Sequence, residues 1–240
     1  MHTASYLKRA TERRQTTMTV LLDSKELWYA ATNCYVIALE TGGPAIVVDA
    51  PPDPEGIGRL LAGNDLYPAA LLVTHGHIDH VGGAGAFVAR TGVTAFVHPD
   101  DDFLTLHPAE QLRTMFGLDV TPAEAESFAP PVRFETLADG DSLDLAGLSV
   151  QVLHTPGHTP GHCCFLLADE GILFSGDQLF AGSIGRTDLR GGDHNQLMRS
   201  MVDKVLPLPD DTAVLPGHGP ATTIARERLS NPFLQDLIRP

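Results

Sequence analysis

The segment Thr74-His75-Gly76-His77-Ile78-Asp79-His80 constrains this chain more than any other. It sets three imidazoles and a carboxylate side by side, directly after a short apolar run, 69–73, that reads as a buried strand. A loop leaving a strand can turn alternate side chains toward one point. His and Asp are ligands that borderline divalent metals accept. Four such ligands so close cannot all serve one tetrahedral ion without strain, so two metals are the natural division. A histidine tag would be terminal and unbroken, and this cluster is neither.

Three further segments repeat the pattern of a strand end, a glycine and a displayed His or Asp. The run 148–154 is followed by Thr155-Pro156-Gly157-His158-Thr159-Pro160-Gly161-His162, whose Pro and Gly residues make a rigid turn that fixes His158. His154 and His162 fit supporting roles around the ligands better than ligand roles. Phe174-Ser175-Gly176-Asp177 ends another strand, and a carboxylate there can span two cations with its two oxygens. Pro216-Gly217-His218-Gly219-Pro220 ends a fourth. The SGD and PGHG segments are weak signals alone, because most such residues only shape turns. All four together are a strong one.

Short β-branched and apolar runs at 18–22, 34–39, 45–48, 94–97, 133–137, 163–167, 172–174 and 212–215 read as further strands. Helical periodicity marks 56–64, 84–90, 195–205 and 224–229, and the stretch 100–128 predicts short helices broken near Pro108 and Gly117. Many strands with helices before, between and after them predict two packed sheets with outer helices, the histidine motifs lying at strand ends. Residues 18–240 form one expected domain. Residues 1–17, basic and Thr-rich with Lys8, Arg9, Arg13 and Arg14, form an N-terminal extension. They read as a surface arm, or as a stretch ahead of a true start at Met18, although a transit peptide shares the basic bias.

Composition excludes several partners. The formal net charge of -14 repels phosphate backbones, so no nucleic acid is expected. No run approaches the ~20 apolar residues of a membrane span. Cys34, Cys163 and Cys164 are an odd number with two adjacent, which predicts free buried thiols and a reducing, cytoplasmic setting.

The motif HGHIDH, His158 in TPGHTPGH, Asp177 in SGD and His218 in PGHG together resemble the metallo-β-lactamase fold superfamily, from about Met18 to the end of the sequence. The resemblance implies an α/β fold, a four-layer αββα sandwich with metals between the edges of its sheets. It implies that His75, His77 and His158 hold one metal, that Asp79, His80 and His218 hold a second, and that Asp177 bridges them. Two divalent cations are expected, zinc foremost, with iron or manganese also suited to His/Asp ligands.

A finer resemblance comes from Gly182-Ser183-Ile184-Gly185-Arg186-Thr187-Asp188, from Gly191-Gly192-Asp193 and from the ending PGHGPATTIARERLSNPFL. These are similar to single-domain glyoxalase II-type proteins, the hydroxyacylglutathione hydrolases and their relatives. The implied substrate is a small-molecule thioester such as an S-hydroxyacyl thiol conjugate. Arg186 stands where the larger enzymes have a basic residue that meets the thiol carrier, and its substrate-binding role competes with bracing of its loop through Asp188 or Asp193. The sequence ends soon after His218, where the larger enzymes continue into a helical domain that completes their glutathione site, so the carrier is left open. The expected chemistry is attack of an activated water on the thioester carbonyl. Asp79 has a catalytic role there, accepting a hydrogen bond from the water and aiming it.

Other activities share the fold. A persulfide dioxygenase, with a similar GRTD segment, would use one iron on His75, His158 and Asp177; the C-terminal pattern favours the hydrolase. A lactonase or β-lactamase would share the ligands but leave Gly185-Arg186-Thr187-Asp188 unexplained. A non-catalytic relative would be expected to have lost ligands, and this sequence has lost none.

Overall fold

The structure, a computed structural model, describes residues 20–131 and 134–238. The N-terminal extension expected at 1–17 lies outside the described residues.

Strand alternation builds the two central layers. Strands β1 (Leu21–Leu27), β2 (Thr32–Ala38), β3 (Pro44–Val48), β4 (Tyr67–Leu72), β5 (Thr94–Val97) and β6 (Glu135–Thr136) form one sheet in that order. Every residue of β2 is buried. Successive side chains leave a strand on opposite faces, so Tyr35 and Ile37 enter one core while Cys34, Val36 and Ala38 enter another. A strand covered on both faces therefore reads as a continuous apolar run. The first three strands are antiparallel, and β3 to β6 run parallel. Parallel neighbours need crossovers. These are α1 (Pro54–Gly63), which starts on Pro54 behind an Asp53 cap, then α2 (Ile78–Val81) and α3 (Ala84–Thr91). The connection from β5 to β6 carries α4 (Asp102–Thr105), α5 (Glu110–Phe116) and α6 (Pro122–Ala125).

The second sheet contains β7 (Ser142–Leu145), β8 (Leu148–His154), β9 (Cys163–Leu167) and β10 (Ile172–Gly176). A small hairpin, β11 (Leu179–Phe180) with β12 (Ser183–Ile184), leaves its edge. After α7 (His194–Ser200) the sheet is completed by β13 (Ala213–Pro216), parallel to β10, and by β14 (Thr222–Thr223). Between the sheets lies a core that includes Ile37, Ile46, Leu72, Val150, Val152, Phe165 and Phe174. Truncating either phenylalanine there to alanine would cost about 3–5 kcal/mol. Outside the first sheet a core joins residues of α1 and α3, and outside the second a core joins α7 and α8 (Ile224–Ser230). The order is helix, sheet, sheet, helix, as expected.

The strands β7, β11, β12 and β14 have no counterpart in the sequence reading, and three expected elements differ in extent. The strand placed at 18–22 runs over Leu21–Leu27, where Asp23, Lys25 and Glu26 are exposed. It is an edge strand, and charged side chains that protect an edge also hide it from an apolar pattern. The strand expected at 133–137 narrows to Glu135–Thr136 at the other edge, residues 132–133 lying outside the described ones. The helix expected at 195–205 is α-helical only to Ser200, and its apolar stripe continues as a π-helical turn, Met201–Val205. Among the described residues, no helix is long and apolar enough to cross a membrane.

Candidate metal centre

The ends of β4, β8, β10 and β13 release their loops at one edge of the sandwich. After β4 the chain stays extended through His77 and turns helical at Ile78. That change of direction divides four neighbouring ligands. His75 and His77 face one point, where His75 Nε2, His77 Nδ1 and His158 Nε2 lie 2.8 to 3.1 Å apart. Asp79 and His80, on the new helical turn, face another. There Asp79 Oδ2 is 3.3 Å from His80 Nε2 and 3.2 Å from His218 Nε2, and the two imidazole nitrogens are 3.3 Å apart.

Asp177 stands between the two triads. Its Oδ1 is 3.5 Å from His80 Nε2, and its Oδ2 is 3.5 Å from His158 Nε2 and 3.6 Å from His218 Nε2. The approach depends on Gly217, where a Cβ would collide with Asp177 Oδ1 and His80 Cε1. All seven residues expected to be metal ligands therefore converge. His154 does not. It stacks on His98 with ring centroids 3.9 Å apart and bonds through Nε2 to the Pro160 carbonyl.

Hydrogen bonding fixes the tautomers and tests the fit of a cation. The Arg186 carbonyl can only accept, so His158 donates its Nδ1–H to it at 2.7 Å and turns a lone pair inward. The Thr74 hydroxyl gives its proton to Asp49, at 2.9 and 3.0 Å from the two carboxylate oxygens. His75 must then donate Nδ1–H to Thr74 Oγ1, 3.0 Å away. Two imidazole lone pairs are left facing each other across 3.1 Å, an arrangement that repels unless a cation lies between. Asp177 Oδ1 is buried and has no hydrogen-bond partner, which is costly for an ionised oxygen. Imidazoles and carboxylates in this arrangement fit a pair of divalent cations.

The triads differ in charge. Burial, with the neighbouring imidazoles, pushes the pKa of His75 and His77 well below the ordinary histidine value. Burial lowers His158 too, against the pull of Asp177. In the second triad burial also opposes the charged form of His80, but Asp79, Asp49 and Asp177 outweigh it and raise the pKa well above the ordinary value. His218 is raised as well: burial opposes protonation, and Asp79 and Asp177 overcome it. For Asp79 burial works upward, yet His80 and His218 hold the carboxyl well below its usual range.

Residues that the sequence reading did not single out hold these ligands. Asp49 sits at the end of β3 in the left-handed region, φ +61°, a strained conformation for a non-glycine residue. It accepts from Thr74 and, at 2.7 Å, from His80 Nδ1–H, and so supports one ligand of each triad. Asp101 is buried and accepts from the Gly76 and Gly161 amides and the Thr159 hydroxyl, each at 2.7 Å, which ties the HGH loop to the TPGH loop. Thr32 donates to Asp79 Oδ2 at 2.9 Å. His162, expected to play a supporting role, accepts the Asp177 amide N–H at 3.0 Å and so fixes the backbone from which that carboxylate projects. The only sequence signal for Asp49 and Asp101 is an acid just beyond an apolar strand. Arg186 lies at the mouth of the site, lining it with Phe180, Ile184 and Leu189. Its guanidinium is turned onto Asp188 in a two-point pair at 2.7 and 2.8 Å, the bracing arrangement.

Comparison with known proteins agrees with this geometry. The sequence model of the Metallo-beta-lactamase superfamily matches residues 29–218. Hydroxyacylglutathione hydrolase GloC of Haemophilus influenzae is 38% identical over 190 residues, covering 79% of this chain and 87% of its own. Among solved structures, the BLEG-1 B3 metallo-beta-lactamase superposes with a TM-score of 0.80 at 35% identity, over 90% of this chain and all of its own. TTHA1623 in a di-iron-bound form gives a TM-score of 0.77 at 37% identity, over 88% of this chain and 100% of its own. With the ligand loops in place and most of its length matched, the chain belongs to the metallo-beta-lactamase superfamily.

Proposed function

We propose that this protein is a binuclear metal-dependent hydrolase that cleaves a thioester of the S-hydroxyacyl thiol kind. The observation that carries the reading is the position of Asp177, one carboxylate between two complete triads. The likeness to GloC supports a thioester among the substrates open to this superfamily. The His/Asp ligands suit zinc, iron or manganese. Three buried, unpaired thiols support a reducing, cytoplasmic setting.

When bound, a pair of divalent cations supplies an acidified water and polarises a carbonyl oxygen. The chain's own groups do the rest. Asp79, kept ionised by His80 and His218, accepts a hydrogen bond from the attacking water and aims it at the thioester carbon. Thr32 fixes the carboxylate that does so. Asp177, held at its backbone by His162, presents its carboxylate between the two triads. Met115, Phe116, Phe180 and Leu189 line the mouth and limit bulk water around the reacting carbonyl. A thiolate is a good leaving group, so no strong general acid is needed.

Persulfide oxidation on one iron at His75, His158 and Asp177 is the second reading. It gives no role to Asp79, His80 and His218, whose convergence favours the hydrolase. The likeness to BLEG-1 makes β-lactam hydrolysis a third arm of the test. Purified protein, with its metals counted, should be offered S-lactoylglutathione, glutathione persulfide with an oxygen electrode, and a cephalosporin. Thioester cleavage with two metals per chain is the expected result. Oxygen consumption with one iron per chain, or turnover of the cephalosporin alone, would overturn it.

A further inference from the structure

A second recess opens beside the metal mouth, sharing His77, Met115 and Leu189 with it. Its volume is about 160 Å³, less than the ~300–1,000 Å³ of a whole small-molecule site and suited to one limb of a ligand. A substrate with its carbonyl at the triads can therefore extend one limb past His77 without leaving the protein. The floor of this recess is apolar, built from Phe103, Leu104, Met115 and Leu189. Its rim carries charge. His107 and Glu110, 3.9 Å apart, line it together with Arg190.

Two cations, Arg186 and Arg190, line the combined cavity. Arg186 is already gripped by Asp188 through the Nε–Nη2 edge of its guanidinium, which offsets its charge and occupies two of its five donors. Arg190 has no such partner among the described residues; it lies over the Phe103 ring, 4.9 Å from the centroid. A guanidinium parked on an aromatic face keeps its N–H edge free, and that edge matches a carboxylate in two parallel bonds. The surrounding loop is stitched down. Asp193 N–H bonds the Gly157 carbonyl at 2.8 Å. Gly191, at φ +88°, packs so closely that a Cβ would meet Pro160 and Phe103. The backbone that carries Arg190 is thus anchored beside the recess, in a protein of net charge -14 that otherwise repels anionic ligands.

We propose that this recess binds the thiol-carrier limb of the substrate and that Arg190, rather than Arg186, selects carriers bearing a carboxylate. The inference rests on the thioester reading for what occupies the triads, but binding in the recess can be measured without turnover. The probe is S-methylglutathione, a thioether that no hydrolase can cleave, titrated calorimetrically into the full-length, metal-loaded protein beside its diethyl ester. The wild type should prefer the free acid. Arg190→Gln should weaken binding of the acid about tenfold or more, the scale of one charge-assisted contact, and abolish the preference at unchanged metal content. Arg186→Gln should cost less. With S-lactoylglutathione as substrate, Arg190→Gln should raise KM and largely spare kcat. Equal binding of acid and ester by the wild type, absence of binding, an indifferent Arg190→Gln, or a larger loss from Arg186→Gln would each overturn the assignment. Arg190-dependent thioether binding without cleavage of S-lactoylglutathione would count against the thioester reading alone.

Discussion

The two triads use similar ligands and solve opposite electrostatic problems. His75, His77 and His158 are buried imidazoles pushed toward the neutral form, two of them with inward lone pairs fixed by their outer hydrogen bonds. Asp79, His80 and His218 include a carboxylate and lie beside Asp49 and Asp177, and these carboxylates outweigh burial to raise the pKa of both imidazoles. The His218 side chain is also 31% exposed, whereas His158 is 2% exposed. The first triad is ready for a cation. In the second the raised pKa values favour a proton where a cation would sit, so cation binding there competes with protonation. The difference comes from the carboxylates around the second triad and from the partial exposure of His218, since Asp79 and His80 are buried like the first triad.

Removing the group common to both triads should have the largest effect. Asp177→Ala is expected to lower occupancy of both metals and to cut hydrolysis by more than the ~10–100-fold that outer partners carry. His218→Ala should empty chiefly the second site. Metal counting by mass spectrometry on the two variants separates them, and equal losses would argue that Asp177 does not bridge. Next comes Asp49→Asn, which replaces a shared acceptor with an amide. Metal affinity should fall about 10–100-fold, more at the second site, because His80 touches Asp49 directly while His75 reaches it through Thr74. Cobalt titration followed by visible absorption would report each site, and a loss confined to the first triad would contradict the hydrogen-bond assignment.

Acidity should split the triads without any mutation. His80 and His218 have raised pKa values, so in the metal-free protein they keep their protons above the ordinary value of 6.5. Cation affinity at the second site should therefore climb as pH rises through and above that value. His75 and His77 are lowered, so they are already neutral there and lose ligand strength only at more acidic pH. Dialysis of loaded protein from pH 8 downward should release the second metal before the first; the reverse order would falsify the contrast. The smallest effect is expected at Arg186. His158 bonds to its backbone carbonyl, which Arg186→Ala retains. First-site affinity should stay within about twofold, as for other exposed substitutions. A large drop on metal titration would mean that the Arg186–Asp188 pair holds that carbonyl in place.

Much of the site was legible because ligands declare themselves by type and spacing. His75 to His80, His158, Asp177 and His218 each follow an apolar run that ends in a glycine-containing loop, so chemistry and element boundary coincide in the sequence. The residues that hold those ligands left no comparable trace. Asp49 reads as an acid in a turn and Asp101 as an acid before a helix. Both are distant in sequence from the groups they bond, and hydrogen bonding at long range has no local period. The edge strands were blurred for a related reason: Asp23, Lys25 and Glu26 suit an exposed edge and break the apolar pattern.

The layered α/β architecture and the candidate ligand set are both readable from the sequence, because burial on both faces of a strand writes a continuous apolar run and metal chemistry admits few side chains. The sequence also predicted two metals, since four ligands in one loop overcrowd a single ion. The family resemblance already implies how the ligands divide; which nitrogen of each imidazole faces inward, and which triad has its pKa values raised, follow from the folded geometry alone. Those outcomes depend on groups brought together from β3, β8, β10 and β13, and on the depth at which each lies. Two arginines four residues apart look alike in the sequence; folding pairs Arg186 with Asp188 and lays Arg190 on Phe103. A charge is available to a ligand only if no nearer partner has taken it, and that depends on distances set by the fold.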